Sequence, residues 1–165
     1  MSFEFGGNDF DHFDPENPDD RILPGKYHLM IQAVDDSRDE YLAVDYEVLA
    51  GTVAGQEGKT GRERLYRSAK ASKRIAMFLL AAKLTSLEAL IESKNSGKKL
   101  VINMREAEGR QMCAELVKSE KGFINWSFQG IWAVDDDQAK DIPKNSGLLA
   151  EAGTSAADPL DGIPF

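Results

Sequence analysis

The chain is poor in cysteine and histidine and has no long apolar run. Cys113 is the one cysteine among 165 residues, so neither a disulfide framework nor a thiolate metal cluster forms within one chain. Its neighbours Met112 and Ala114 mark it as an inert strand residue. The two histidines, His12 and His28, have no HExxH or comparable spacing, and no metal site is expected. The longest unbroken apolar run, Ile75 to Ala82, is far short of a bilayer span. The opening Met1-Ser2-Phe3-Glu4-Phe5 has no basic region or signal-type apolar stretch, so the expectation is a soluble intracellular protein without a membrane partner. A P-loop and a GxSxG motif are also missing, and the glycines spread over Gly51 to Gly61 form no strand-to-helix phosphate cradle. Paired acids such as Asp35 with Asp36, or Asp45 with Glu47, fit turns and solvated strand faces better than a metal-dependent nuclease. Neither an enzyme nor a cofactor is expected.

What is present is an uneven distribution of charge. The net charge of -8 argues against nucleic acid at first sight, but it belongs to the ends. Residues 1–20 hold seven acids and no base, and residues 135–165 hold seven acids and two bases, while residues 21–134 hold 18 bases and 14 acids. Between residues 57 and 74, seven bases (Lys59, Arg62, Arg64, Arg67, Lys70, Lys73 and Arg74) face only Glu57 and Glu63. A block of this kind is either a phosphate-binding footprint or a solvated face.

Hydrophobic periodicity divides the chain into three. Residues 1–21 mix acids with glycine, proline and four phenylalanines without any period and read as a flexible acidic arm. From 22 to 134 the pattern is regular. Tyr27, Leu29, Ile31 and Ala33 alternate, as do Leu42, Val44, Tyr46 and Val48, which predicts two strands joined at 35–39. A third strand over 61–67 turns Leu65 inward and Arg62, Arg64 and Tyr66 outward. The period then changes to helical, with Ser72 as N-cap, and Thr85-Ser86-Leu87-Glu88 opens a second short helix as a capping box. Strands are predicted again over 98–106, 110–118 and 123–134, with Gly130 as a bulge. From 135 to 165 the chain is aperiodic and acidic and reads as a disordered tail. Three strands, one or two helices and two or three further strands is the order of an OB-fold-like, five- to six-stranded β-barrel with helices between strands 3 and 4. An open antiparallel sheet with a helical pair on one face satisfies the same order.

Single-strand binding needs cations for phosphates and aromatic planes for bases. Arg62, Arg64 and Tyr66 share the outer face of one strand, Tyr41 lies on its neighbour, and Lys59, Arg67 and Lys73 flank the group. Lys99 and Arg105 take the matching positions of the 98–106 strand. Trp126 and Phe128 fit either the core or a stacking surface, whereas Trp132, beyond the Gly130 bulge, is expected to be exposed and to join the DNA-binding set.

The chain ends Asp158-Pro159-Leu160-Asp161-Gly162-Ile163-Pro164-Phe165. Two large apolar side chains, stiffened by proline and preceded by acids, suit a pocket rimmed by lysine or arginine. This tip resembles the acidic C-terminal tip of bacterial single-stranded-DNA-binding proteins, which also closes with Ile-Pro-Phe, although its aspartates are more dispersed. Pro24-Gly25-Lys26-Tyr27, the run Leu42-Ala43-Val44-Asp45-Tyr46-Glu47-Val48, and Gly51 and Gly55 are similar to the opening strands of a phage single-strand-binding group once filed as a domain of unknown function. The resemblance implies single-stranded DNA as ligand and replication or recombination enzymes (a helicase, nuclease, primase or annealing protein) recruited through Asp158, Asp161, Ile163, Pro164 and Phe165. It also implies a bacterial host's cytoplasm, at the nucleoid or replication site, and allows a homo-oligomer. A reading from another class stays open: an interaction protein that imitates such a tail to divert host repair or replication enzymes without touching DNA.

Overall fold

Alternation of apolar and polar residues builds most of the domain. A computed structural model of the chain describes Ser2, Glu4, Gly6 and residues 21–149. Strands β1 (Gly25–Asp35), β2 (Tyr41–Gly51) and β3 (Thr60–Tyr66) form an antiparallel meander. Helices α1 (Ser72–Ala81) and α2 (Leu87–Ser96), a 3-10 turn (Met104–Ala107), and strands β4 (Gln111–Lys118) and β5 (Ile124–Trp132) follow. The fold is mainly β. Its five antiparallel strands, in the order β3-β2-β1-β4-β5, curl into a half-barrel. Register slips after His28 and after Ile31 let β1 bend between its two neighbours, β2 and β4. No helix among the described residues is long and apolar enough to cross a membrane.

The concave side is the core. Tyr27, Leu29 and Ile31 of β1, Leu42, Val44 and Tyr46 of β2, Leu65 of β3 and Trp126 of β5 are buried there, with Phe78 and Leu79 of α1 packed against them. Gly61 is required at its place. A Cβ there would lie 2.6 Å from the Tyr46 hydroxyl, so any larger residue would push the buried ring out of the core.

The two sheet edges, β3 and β5, are joined by side chains. Glu63 points inward from β3 and accepts a hydrogen bond from the Trp126 backbone N–H at 3.1 Å. Arg74, in the first turn of α1, is ion-paired with Glu63 and donates to the Trp126 carbonyl at 3.0 Å. Both side chains are buried. Burial pushes the Glu63 carboxyl up, opposed by the Arg74 guanidinium and the Trp126 N–H. The pair thus satisfies both backbone groups of a residue on the edge strand β5.

Four expectations need correction. The 98–106 stretch is not a strand: residues 98–103 have no regular structure, Val101 is 91% exposed and Asn103 starts the 3-10 turn by accepting from the Arg105 N–H. It pairs with none of the five strands, and the sheet runs β3-β2-β1-β4-β5 without it. The α2 cap is Ser86, which accepts from the Ala89 N–H, in place of Thr85 at the head of the capping box, and Leu87 and Ile91 are exposed. On α1, Ser72 is the first helical residue, and the cap position, Ala71, makes no side-chain bond.

The fourth concerns residues 135–149, which read as tail in the sequence and instead lie on the domain. Ala139 and Ile142 are buried with Cys113 and Trp132 in a second apolar cluster on the convex side of β4 and β5. Two short contacts extend this cover onto β1 and β4. The Asn145 N–H donates to His28 Nδ1 at 3.1 Å, and Gln111 Nε2 donates to the Leu148 carbonyl at 2.9 Å. The expected tip residues Asp158, Asp161, Ile163, Pro164 and Phe165, and most of the 1–21 arm, lie outside the described residues.

Replacing Arg74 by Ala leaves a buried carboxylate unpaired and is expected to lower stability by about 3 to 5 kcal/mol in urea unfolding. A joint Glu63→Leu, Arg74→Met replacement strands no charge, and its loss is expected to come from the Trp126 N–H and carbonyl left without partners, about 1 to 3 kcal/mol for each. An Arg74→Ala loss below about 1 kcal/mol would show that the pair does not hold the edges together.

Candidate nucleic-acid interface

Because residues 135–149 cover the convex side of β4, β5 and part of β1, the convex side of β2 and β3 is the open part of the sheet. The register places Tyr41 opposite Tyr66, Ala43 opposite Arg64 and Asp45 opposite Arg62. Side chains opposite one another in an antiparallel pair share a face, so the two tyrosines and two arginines form one group. The tyrosine rings meet edge to face, with centroids 5.3 Å apart at 62°. The Arg64 guanidinium lies 5.1 Å from the Tyr41 ring centroid, and among the described residues no carboxylate pairs with it.

Arg62 is held differently. Its Nε and Nη2 donate to the two Asp45 carboxylate oxygens at 2.6 and 3.0 Å, and the hydrogen bond and charge of Asp45 raise the arginine's pKa. The fork orients Arg62 but screens part of its charge. Beside it, Gln32, Ala33, Asp45, Thr60, Gly61 and Arg62 line an open depression of about 450 Å³. The arrangement offers aromatic planes, a free guanidinium and an oriented one, with room for flat polar groups.

The remaining expected residues are distributed unevenly. Arg67, directly after β3, is exposed, and its backbone N–H bonds the Glu40 carbonyl across the β1–β2 connection. Lys73 is exposed in the first turn of α1, next to Arg74. Lys59 is half-buried where β3 begins, and its Nζ donates to the Arg21 carbonyl at 3.4 Å. Lys99 and Arg105 are exposed, but they sit on the irregular connection and the 3-10 turn, without the strand needed to bring them to this face.

Trp132 is a correction. It is only 7% exposed, packed with Cys113, Ala139, Ile142 and Val134, and the Lys26 ammonium lies 5.7 Å from its ring centroid. Residues 135–142 cover it, so it is closed to a nucleobase. Trp126 is buried in the main core. Phe128 is 56% exposed, although the alternation of β5 places it with the buried Trp126, and Phe123, just before β5, is 63% exposed. Phe128 is in phase with Trp126 in the sequence, and only the Gly130 bulge signals that the phase breaks. Cys113 is buried, and burial pushes its thiol up to about 11, which leaves it without thiolate reactivity near neutral pH. No protein-family model matches the chain, and no curated protein matches it at a significant level.

The cover that delimits this face depends on a neutral histidine. His28 is fully buried, its Nδ1 accepts from the Asn145 N–H, and its Nε2 lies 2.8 Å from Gln111 Oε1. Burial lowers its pKa below the ordinary 6.5, Lys144 adds to this, and the Gln111 bond opposes it. The unfolded chain therefore takes up the proton more readily than the folded one. The stabilisation is complete above the unfolded value and is lost as pH falls below it, at up to about 1.4 kcal/mol per pH unit. Urea midpoints are expected to fall between about pH 7.5 and 5.5 in the wild type and to fall less in His28→Gln. Equal slopes for the two proteins would show that His28 is not the group responsible.

Proposed function

We propose that the chain binds single-stranded DNA without strong sequence preference, coating and protecting exposed strands, and that its C-terminal tip recruits partner enzymes of replication or recombination. The observation that carries the reading is the group on the open face of β2 and β3: Tyr41 against Tyr66, with Arg64 stacked on Tyr41 and unpaired with any carboxylate among the described residues. Bases stack on such rings at roughly 1 to 3 kcal/mol each, and arginine attracts the phosphates between them. Every base has a π-face, so this chemistry discriminates little between sequences. We read the half-barrel as an OB-like fold. The order β3-β2-β1-β4-β5, with helices between β3 and β4, supports this, and in that architecture the face of strands 2 and 3 takes up oligonucleotides. It also agrees with the likeness of the chain's opening strands to the phage single-strand-binding group.

The recruitment part of the proposal rests on the sequence of the tip. The last described residues lie over His28 and Gln111, on the other part of the sheet from Arg64 and Tyr66, so a tail continuing from there starts away from the proposed DNA face. A tethered partner is thereby held at raised effective concentration near the coated strand. Long-range attraction of DNA is set by Arg64, Arg67 and Lys73, with help from the Asp45-paired Arg62.

Both tryptophans are buried, so anisotropy of a fluorescein-labelled oligo-dT is a better reporter than intrinsic emission. Affinity is expected to fall with salt at a logarithmic slope near -0.7 per contacted phosphate. Arg64→Glu is expected to weaken binding and flatten that slope, and Tyr66→Ala to cost about 1 to 3 kcal/mol. Removing Ile163, Pro164 and Phe165 should leave DNA affinity equal or higher. Absence of binding at low salt would end the coating reading, and unchanged affinity in both point variants would move the site elsewhere.

A further inference from the structure

We infer that Phe128 is an additional base-stacking platform, and that a bound strand runs from the tyrosine pair over the β3–β5 seam to reach it. This rests on the single-strand reading above. The backbone of β5 is arranged to expose this ring. Leu116 pairs with Trp126 and Ala114 with Ile131, so residues 127–130 all face Glu115 alone. A regular ladder would oppose one residue there, and the surplus forms a bulge that turns Phe128 out to 56% exposure.

The bulge is built in detail. Ser127 Oγ donates to Glu115 Oε1 at 3.1 Å, and Gly130 has no room for a side chain: a Cβ would lie 2.5 Å from Ser127 Oγ and 2.6 Å from Glu115 Cβ. Phenylalanine has no polar group to satisfy, so exposure of its ring gains nothing from hydrogen bonding. Bulges recur where a sheet re-aims a side chain toward a ligand.

The ring lies at the β3–β5 seam. The Arg74 guanidinium lies 5.1 Å from the Phe128 ring centroid, and the same guanidinium is paired with Glu63. Glu63 sits between Arg62 and Arg64, whose side chains project from the opposite face of β3. One guanidinium therefore separates Phe128 from the strand that carries the phosphate-binding arginines. Lys73, the residue before Arg74 on α1, is exposed. A single strand laid across β3 would meet Tyr66 or Tyr41, then Arg64, then Phe128, alternating stacking planes with charge.

A purely structural role would make Phe128 a cover for the Arg74 guanidinium, and two variants separate the roles. Phe128→Leu keeps an apolar cover but removes the aromatic plane, and Phe128→Trp keeps the plane and adds a reporter. With an oligo-dT of about 16 nucleotides, Phe128→Leu is expected to bind about fivefold or more weakly than wild type, with an unchanged salt slope and urea midpoint. Phe128→Trp is expected to bind as wild type, and its added emission, relative to the two buried tryptophans, should be quenched by the oligonucleotide. Affinity of Phe128→Leu within about twofold of wild type, or unquenched emission from Phe128→Trp, would overturn the inference while leaving the β2–β3 reading intact, provided Arg64→Glu still weakens binding. Failure of the wild type to bind would overturn both.

Discussion

The buried pair between Glu63 and Arg74 is the constraint on which the rest of the structure depends. A curled five-stranded sheet leaves β3 and β5 as edges, and their inward backbone groups need partners. Glu63 supplies an acceptor for the Trp126 N–H, and Arg74 supplies a donor for its carbonyl. A buried ion pair adds little stability compared with a well-packed apolar pair of the same size, so its value here lies in registration. It fixes which residue of β3 faces inward, and hence that Arg62, Arg64 and Tyr66 face outward together. A shift of one residue would reverse every one of these side chains. The pair also ties α1 to both edges and places the Arg74 guanidinium against Phe128.

A second consequence is an asymmetry of the convex surface. Residues 135–149 pack over Cys113, Trp132 and His28, burying apolar area that would otherwise be open and leaving β2 and β3 uncovered. The surface that remains carries Tyr41, Tyr66, Arg62 and Arg64 together with Asp45 and Glu47, whereas the whole chain carries a net charge of -8. The proposed division of labour follows: one part of the sheet for DNA, the opposite part as the point from which the tail departs. In this account the acidic ends do not contradict nucleic-acid binding, because electrostatic attraction acts locally over roughly a Debye length, about 8 Å at physiological salt.

Most strands are legible in the sequence because one face of each is buried and the period of two survives. Tyr27, Leu29 and Ile31 alternate in this way, and so do Met112, Ala114 and Leu116, although His28 and Cys113 between them are buried too, beneath the 135–149 cover. For the same reason alternation alone puts Arg62, Arg64 and Tyr66 on one face of β3 and Tyr41 beside them on β2, as the pairing register does. The 98–106 segment misleads because Leu100, Ile102 and Met104 alternate equally well, and a local pattern does not record whether a sheet edge receives the segment. Trp132 is misplaced by its sequence context and Phe128 left open by it, because the bulge at 127–130 changes the phase between them. Residues 135–149 show no long period because, apart from a 3-10 turn at Asp137–Ala139, they lie on the sheet as a cover held by the His28, Gln111 and Lys83 side chains and a few apolar contacts. Arg74 falls among the surface cations in the sequence, since nothing local says that its partner is eleven residues upstream on a strand facing the core.

The most direct test of the central claim is a map of backbone amide shifts of the full chain during titration with oligo-dT. The account predicts that the largest changes fall on 41–47 and 60–67, extending to Phe128 and its neighbours, with residues 135–149 and the His28–Gln111 contact nearly unmoved. Changes concentrated on 135–149 or on α2 and 97–103, with β2 and β3 silent, would contradict it.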